Sequence, residues 1–194
     1  MILFALGVLL SFLINIYTFT IAFISSVLLI VYSFVTKRLG IIGNITIATL
    51  ASLTFIYGGI AACLSNRIVY PAYFAFILTL GREIVKGIED YEGDKNHNIK
   101  TLAVTKGINY SCYISAILFI ILIVTSPLPF VLGEFTIVYL IIAVCFVDII
   151  MFVSIIYLLK YKSKKIKTVR VISKGAMFLG ILAFLLDSLV RWFI

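Results

Sequence analysis

ILFALGVLLSFLINIYTFTIAFISSVLLIVYSFVT, residues 2–36, holds no charged side chain in 35 positions. As one α-helix it would run ~52 Å, well beyond the ~30 Å of hydrocarbon in a bilayer. The polar patch at residues 15–18 therefore divides it into a short first span and a longer second one, joined by a tight turn. Inside hydrocarbon every backbone amide needs an internal partner, which leaves helices or a closed barrel. The stretch shows no alternation of polar and apolar residues, so helices are expected.

The same pattern continues along the chain. Apolar segments are expected at roughly 2–15, 17–36, 41–65, 68–84, 108–127, 134–159 and 171–194. Pro127 and Pro129 mark the break after Ser126; Arg67 and Pro71 mark the one near Asn66. Hydrophobic residues make up 63% of the 194 and charged ones only 12%, too little polar surface for a water-soluble core. The expected fold is an all-α, polytopic transmembrane helical bundle forming one domain over residues 1–194. Cys63, Cys112 and Cys145 all lie in apolar stretches without CxxC spacing and are read as packing residues. The start, Met1-Ile-Leu-Phe, lacks the basic region and cleavage site of a signal peptide.

A net charge of +8 could suit nucleic acid, but its placement argues against that partner. Residues 37–40, 82–106 and 160–174 carry 2, 5 and 7 of the 16 Lys and Arg, whereas the intervening loops carry only Arg67, with Arg191 near the end. Such asymmetry marks the cytoplasmic side of a multi-pass protein of the cell membrane, facing an anionic leaflet. The N-terminus is expected inside and the C-terminus outside.

Five of the eight acidic residues fall within twelve positions: Glu83, Glu89, Asp90, Glu92 and Asp94. Arg82, Lys86, Asp90 and Asp94 are spaced four apart, so on one helix they form a slowly drifting stripe where segment 68–84 leaves the membrane. Carboxylates one turn apart suit Mg²⁺, which takes one or two of them and completes its shell with phosphate and water. Basic groups on the same face would neutralise the remaining phosphate oxygens. One His and three Cys in apolar stretches cannot assemble a zinc site, and no Ser–His pair is available for nucleophilic catalysis. A generic charge run is more often a solvated loop with helix-end ion pairs; here the acids are clustered in an almost uncharged protein.

GREIVKGIEDYEGDKNHNIKTL, residues 81–102, resembles the second aspartate-rich motif of the UbiA-type intramembrane prenyltransferases. YSFVTKRLGIIGN, residues 32–44, followed by an apolar helix ending in Tyr57-Gly-Gly, resembles the same family one cytoplasmic loop earlier. The similarity covers essentially the whole chain and is greatest to the archaeal ether-lipid branch. It implies nine helices, two Mg²⁺-binding motifs, and transfer of a geranylgeranyl group from a polyprenyl diphosphate donor to a lipophilic acceptor, geranylgeranylglyceryl phosphate. By position it implies Asp90 and Asp94 as the metal-binding, catalytic pair. Lys37, Arg38, Arg82, Lys86 and Lys100 are implied as diphosphate-binding, with Tyr32, Asn44 and Glu89 in a supporting tier. The spacing from Tyr32 to Lys37 is one longer than usual, and Gly87 stands where archaeal members often have Asp.

The family's first motif should lie upstream, yet no acidic residue precedes Glu83. The chain is thus expected to lack two helices and part of a third, and to need a complementing N-terminal fragment as partner. Residues 82–107 would form the cytoplasmic motif loop. Two further possibilities stay open at this point: a degenerate, non-catalytic membrane protein, and a member acting in quinone or haem synthesis. A small ion transporter using Asp148 and Asp187 is the weakest, since Asp187 can pair with Arg191 and Asp148 can bond a neighbouring helix.

Overall fold

The computed structural model describes residues 2–62 and 66–193, and among these every regular element is helical. It divides into two compact units, Met1–Phe76 and Ile77–Ile194.

In the first unit, helices α1 (Ile2–Phe12) and α2 (Ile16–Phe34) are separated where the polar patch predicts. Asn15 caps α2: its side chain accepts from the Thr18 N–H at 2.8 Å, and its own N–H donates to Thr18 Oγ1 at 3.3 Å. Thr18 is fully buried and its hydroxyl donates back to the Ser11 carbonyl at 3.0 Å. Both orphan ends of the turn are thereby satisfied without water, which hydrocarbon requires. α2 leads through a 3₁₀ turn, Thr36–Arg38, into α3 (Ile41–Ala61). Gly40 takes φ 59°, and a Cβ on Gly43 would lie 2.5 Å from the Thr36 carbonyl oxygen. Only glycines allow so tight a link. Cys63 lies outside the described residues.

Helix α4 (Val69–Glu89) belongs to the first unit up to Phe76 and to the second from Ile77. Pro71 does not break it but sits in its first turn, where a missing N–H costs nothing. Five residues beyond the expected segment end are helical, because charged side chains continue the helix into water rather than ending it.

The second unit goes on with α5 (Tyr91–Asn96), α6 (Leu102–Lys106), α7 (Ile108–Thr125) and a short α8 (Leu128–Val131) that starts at the two prolines. A continuous helical stretch follows: α9 (Ile137–Ile142), a π segment Ala143–Asp148, α10 (Ile149–Ile156) and a second π segment Tyr157–Tyr161. Lys162, at φ 49°, then turns the chain through a 3₁₀ helix, Lys162–Lys165, into α11 (Ile166–Phe193). The segment expected at 171 thus begins earlier, and Lys167, Arg170 and Lys174 ride on its first turns. Among the described residues four stretches are long and apolar enough to cross a membrane: Ile16–Phe34, Ile41–Ala61, Ile108–Val131 and Ile137–Phe193. The last, 57 residues with the Lys162 turn inside it, is too long for a single crossing.

Small residues pack this unit. Ser111, Ser115, Ser154, Ser173, Ala176 and Ala183 are all fully buried and let backbones approach closely. A Cβ on Gly81 would meet the buried Phe119 ring at 2.5 Å, and the Ser115 hydroxyl donates to the Gly81 carbonyl at 3.4 Å. Cys112 is buried, as a packing residue should be, whereas Cys145 is exposed on the first π segment. The helical phase there turns it outward.

Both acids inside the spans have partners. Asp187, 1% exposed, accepts from the Thr136 N–H and hydroxyl at 2.6 Å each and pairs with Arg191 at 3.3 Å. Asp148 accepts from the Ser126 hydroxyl, while Tyr139 donates to the Ser126 carbonyl at 2.9 Å. Asp187 is thus fully anchored, whereas the second Asp148 oxygen, Oδ1, is buried without a hydrogen-bond partner.

Candidate functional site

Ile84, Val85 and Ile88 hold one face of α4 in the core, so the opposite residues of its last turns are presented outward. The expected stripe is not one straight helix: α4 ends at Glu89 and α5 starts after Asp90. Even so, the Asp90 N–H donates to the Lys86 carbonyl and the Asp94 N–H to the Asp90 carbonyl, both at 2.9 Å. The i, i+4 ladder therefore passes through the break and keeps Asp90 and Asp94 one turn apart.

α5 is closed by a double-bonded stop. Asn98 adopts φ 54°, its N–H donates to the Lys95 carbonyl at 3.3 Å, and the Ile99 N–H donates to the Asp94 carbonyl at 2.8 Å. This pattern, with Asn in the left-handed position, is the Schellman stop. It turns the chain so that Thr101 packs on Gly87, whose Cβ would lie 3.5 Å from that of Thr101. His97 bonds through Nδ1 to the Gly93 carbonyl at 2.8 Å, so Nδ1 carries the proton.

Asp90 is exposed and Asp94 half-buried. Burial pushes the Asp94 carboxyl above its usual range, and the neighbouring Asp90 charge pushes it further; Thr101, Lys86 and His97 pull the other way. The Thr101 hydroxyl has no hydrogen bond of good geometry but lies near enough to favour the charged carboxylate. Among the described residues no group of three or more His, Cys, Asp or Glu converges on one point. Two carboxylates repelling each other one turn apart fit a hard divalent cation that draws its other ligands from phosphate and water.

The basic residues fall into three sets. Arg82 and Lys86 both lean on Glu83, at 3.7 and 3.5 Å, and Arg82 Nε is buried with no hydrogen-bond partner. These contacts are long for charge-assisted bonds, so both cations retain capacity for an anion. Lys100 is exposed between α5 and α6. Lys37 and Arg38 form the exposed 3₁₀ turn of the first unit, with Tyr32 and Asn44 half-buried on either side. Glu89 is held by Arg170 of α11 at 2.9 Å. Arg170 does not stand out as a site residue in the sequence, although Lys167, Arg170 and Lys174 share helical spacing that would have hinted at one charged face; Thr101 lies within the stretch 81–102 that carries the family resemblance.

The chain matches the model of the UbiA prenyltransferase family over residues 1–183. It is 44% identical over 190 residues to the digeranylgeranylglyceryl phosphate synthase of Saccharolobus solfataricus, covering 96% of this chain and 66% of that protein. With the synthase of the same name from Metallosphaera sedula it shares 41% over 186 residues, covering 94% and 64% respectively. A solved structure concerned with digeranylgeranylglyceryl phosphate synthase in membranes superposes with a TM-score of 0.80 at 34% identity, covering 96% of this chain and 66% of that one. The chain thus spans slightly under two thirds of the length of these relatives.

Proposed function

The chain belongs to the UbiA prenyltransferase family, and from that premise we propose that it carries part of a site joining a geranylgeranyl group to geranylgeranylglyceryl phosphate in archaeal ether-lipid synthesis. The observation that carries this is the Asp90–Asp94 pair just beyond the C-terminal end of α4, with Lys86 and the unpartnered Arg82 Nε on that helix. In the reaction the allylic C–O bond of the donor breaks and diphosphate leaves with the electron pair. The acceptor hydroxyl oxygen bonds to the allylic carbon and loses its proton.

Asp90 and Asp94 would hold Mg²⁺, which supplies charge neutralisation for the leaving diphosphate. Arg82, Lys86 and Lys100 would bind its remaining oxygens, with Arg82 and Lys86 trading long contacts to Glu83 for short ones to phosphate. Asp94 is half-buried, so the cation would be partly desolvated and its field little screened. The apolar spans would keep water from the allylic cation.

The test is a membrane assay with geranylgeranyl diphosphate, geranylgeranylglyceryl phosphate and Mg²⁺. The chain is co-expressed with the portion of the Saccharolobus solfataricus relative that it does not span. Ether product that disappears on chelation and in Asp90→Asn is the expected result. Product formation indifferent to both would refute the assignment.

A further inference from the structure

Where α4, α5 and α7 meet the start of α11, the second unit contains a cavity of about 390 Å³. Neither Asp90 nor Asp94 lines it, nor does any basic residue assigned above to the diphosphate. Its wall carries Lys164, Lys165 and Lys167, none of which forms an ion pair among the described residues. Two carboxylates also face it. Glu89 is already neutralised by Arg170 at 2.9 Å, which leaves Glu92 against three ammonium groups.

A concave wall with surplus positive charge takes up an anion. Lysines bind phosphate as point charges, the hydroxyls of Ser163 and Thr168 add donors, and the wall includes the positive end of the 28-residue α11. The rest of the lining is Tyr91 and the apolar Ile88, Ile108 and Ile166. Bare phosphate would leave that part empty; a phosphate joined to glycerol and the first carbons of lipid chains would fill it. We infer that this cavity binds the phosphate-bearing head group of an amphiphile, separately from the diphosphate site. Two sources share that chemistry: a resident anionic membrane phospholipid and a phosphorylated lipid acceptor.

The full chain, delipidated in neutral detergent, is titrated with phosphatidylglycerol and its adducts are counted by native mass spectrometry. Lys164→Gln/Lys165→Gln/Lys167→Gln should weaken binding about tenfold or more. The charge-matched triple Lys160→Gln/Lys162→Gln/Lys174→Gln, none of which lines the cavity, should bind nearly as well as the parent. An arginine triple at 164, 165 and 167 should restore binding, which separates loss of charge from loss of fold. Competition by soluble sn-glycerol 1-phosphate would assign the site to an acceptor-like head group. Retained phosphatidylglycerol with no such competition would assign it to a membrane phospholipid; both results support the cavity. Equal weakening by the two glutamine triples would show diffuse surface attraction and overturn it, as would undiminished binding by the cavity triple. Prenyl transfer is not read in this assay, so its failure is distinct from failure of the proposed reaction.

Discussion

Asp94 is the residue at which burial and function conflict. Its carboxyl is raised by desolvation and by Asp90, so without a cation the pair works against itself. Asp94→Asn removes that repulsion. Its expected outcome is Mn²⁺ binding weakened about tenfold or more, by analogy with the loss of metal-supporting groups, while the melting temperature of the metal-free chain holds or rises slightly; titration calorimetry and thermal unfolding check the two halves. Gly87 supplies the complementary test. Its Cβ position meets Thr101 only at ordinary contact, 3.5 Å, so a side chain fits. Residues 87, 90 and 94 share one helical face, and Gly87→Asp should tighten divalent binding several-fold in the same titration. The carboxylate pair was legible because its spacing is local. The approach of Thr101 to Asp94 was not, since it depends on the Asn98 turn, a backbone feature with a faint mark in the sequence.

Among the elements, the uncharged runs named their own helices, and the Asn15 cap fell at the one polar patch able to satisfy a turn in hydrocarbon. Segments 82–106 and 160–174 were less legible. Their charges read as loops, yet helix covers much of both, because a charged face is compatible with a helix emerging into water and Glu89 and Arg170 then pair across two of them. The Asp187 anchor shows how α9 is started by a side chain from α11. Asp187→Ala would leave the Thr136 N–H and hydroxyl without an acceptor and Arg191 without its counter-charge. A loss of ~2–4 kcal/mol is expected, with Asp187→Asn milder because its amide oxygen still accepts. Thermal or denaturant unfolding in detergent measures both.

At the scale of the whole molecule, the basic loops 82–106 and 160–174 line one cavity and so lie at one end of the second unit. With 14 of 16 Lys and Arg in alternate loops, that end should face the cytoplasm. A Cys at the exposed Ser163 should resist impermeant maleimide in intact cells and react after lysis; labelling from outside would reverse the orientation. These 194 residues expressed by themselves offer carboxylates only from Glu83 onward. Under the proposed reaction, two phosphates compensated from one side should turn over slower by about two or more orders of magnitude. Turnover equal to that of the co-expressed system would contradict this. The two π segments between Ile137 and Lys162 also set the phase of their helix. Each π turn accommodates, in effect, one extra residue in a helix, which in an unbroken α-helix would shift the angular phase by about 100°. Met151 and Ile155 keep their place in the core by virtue of the first, and Leu158 lies within the second. Removing one residue here would therefore turn the buried face of that helix away from the core unless the helix repacked.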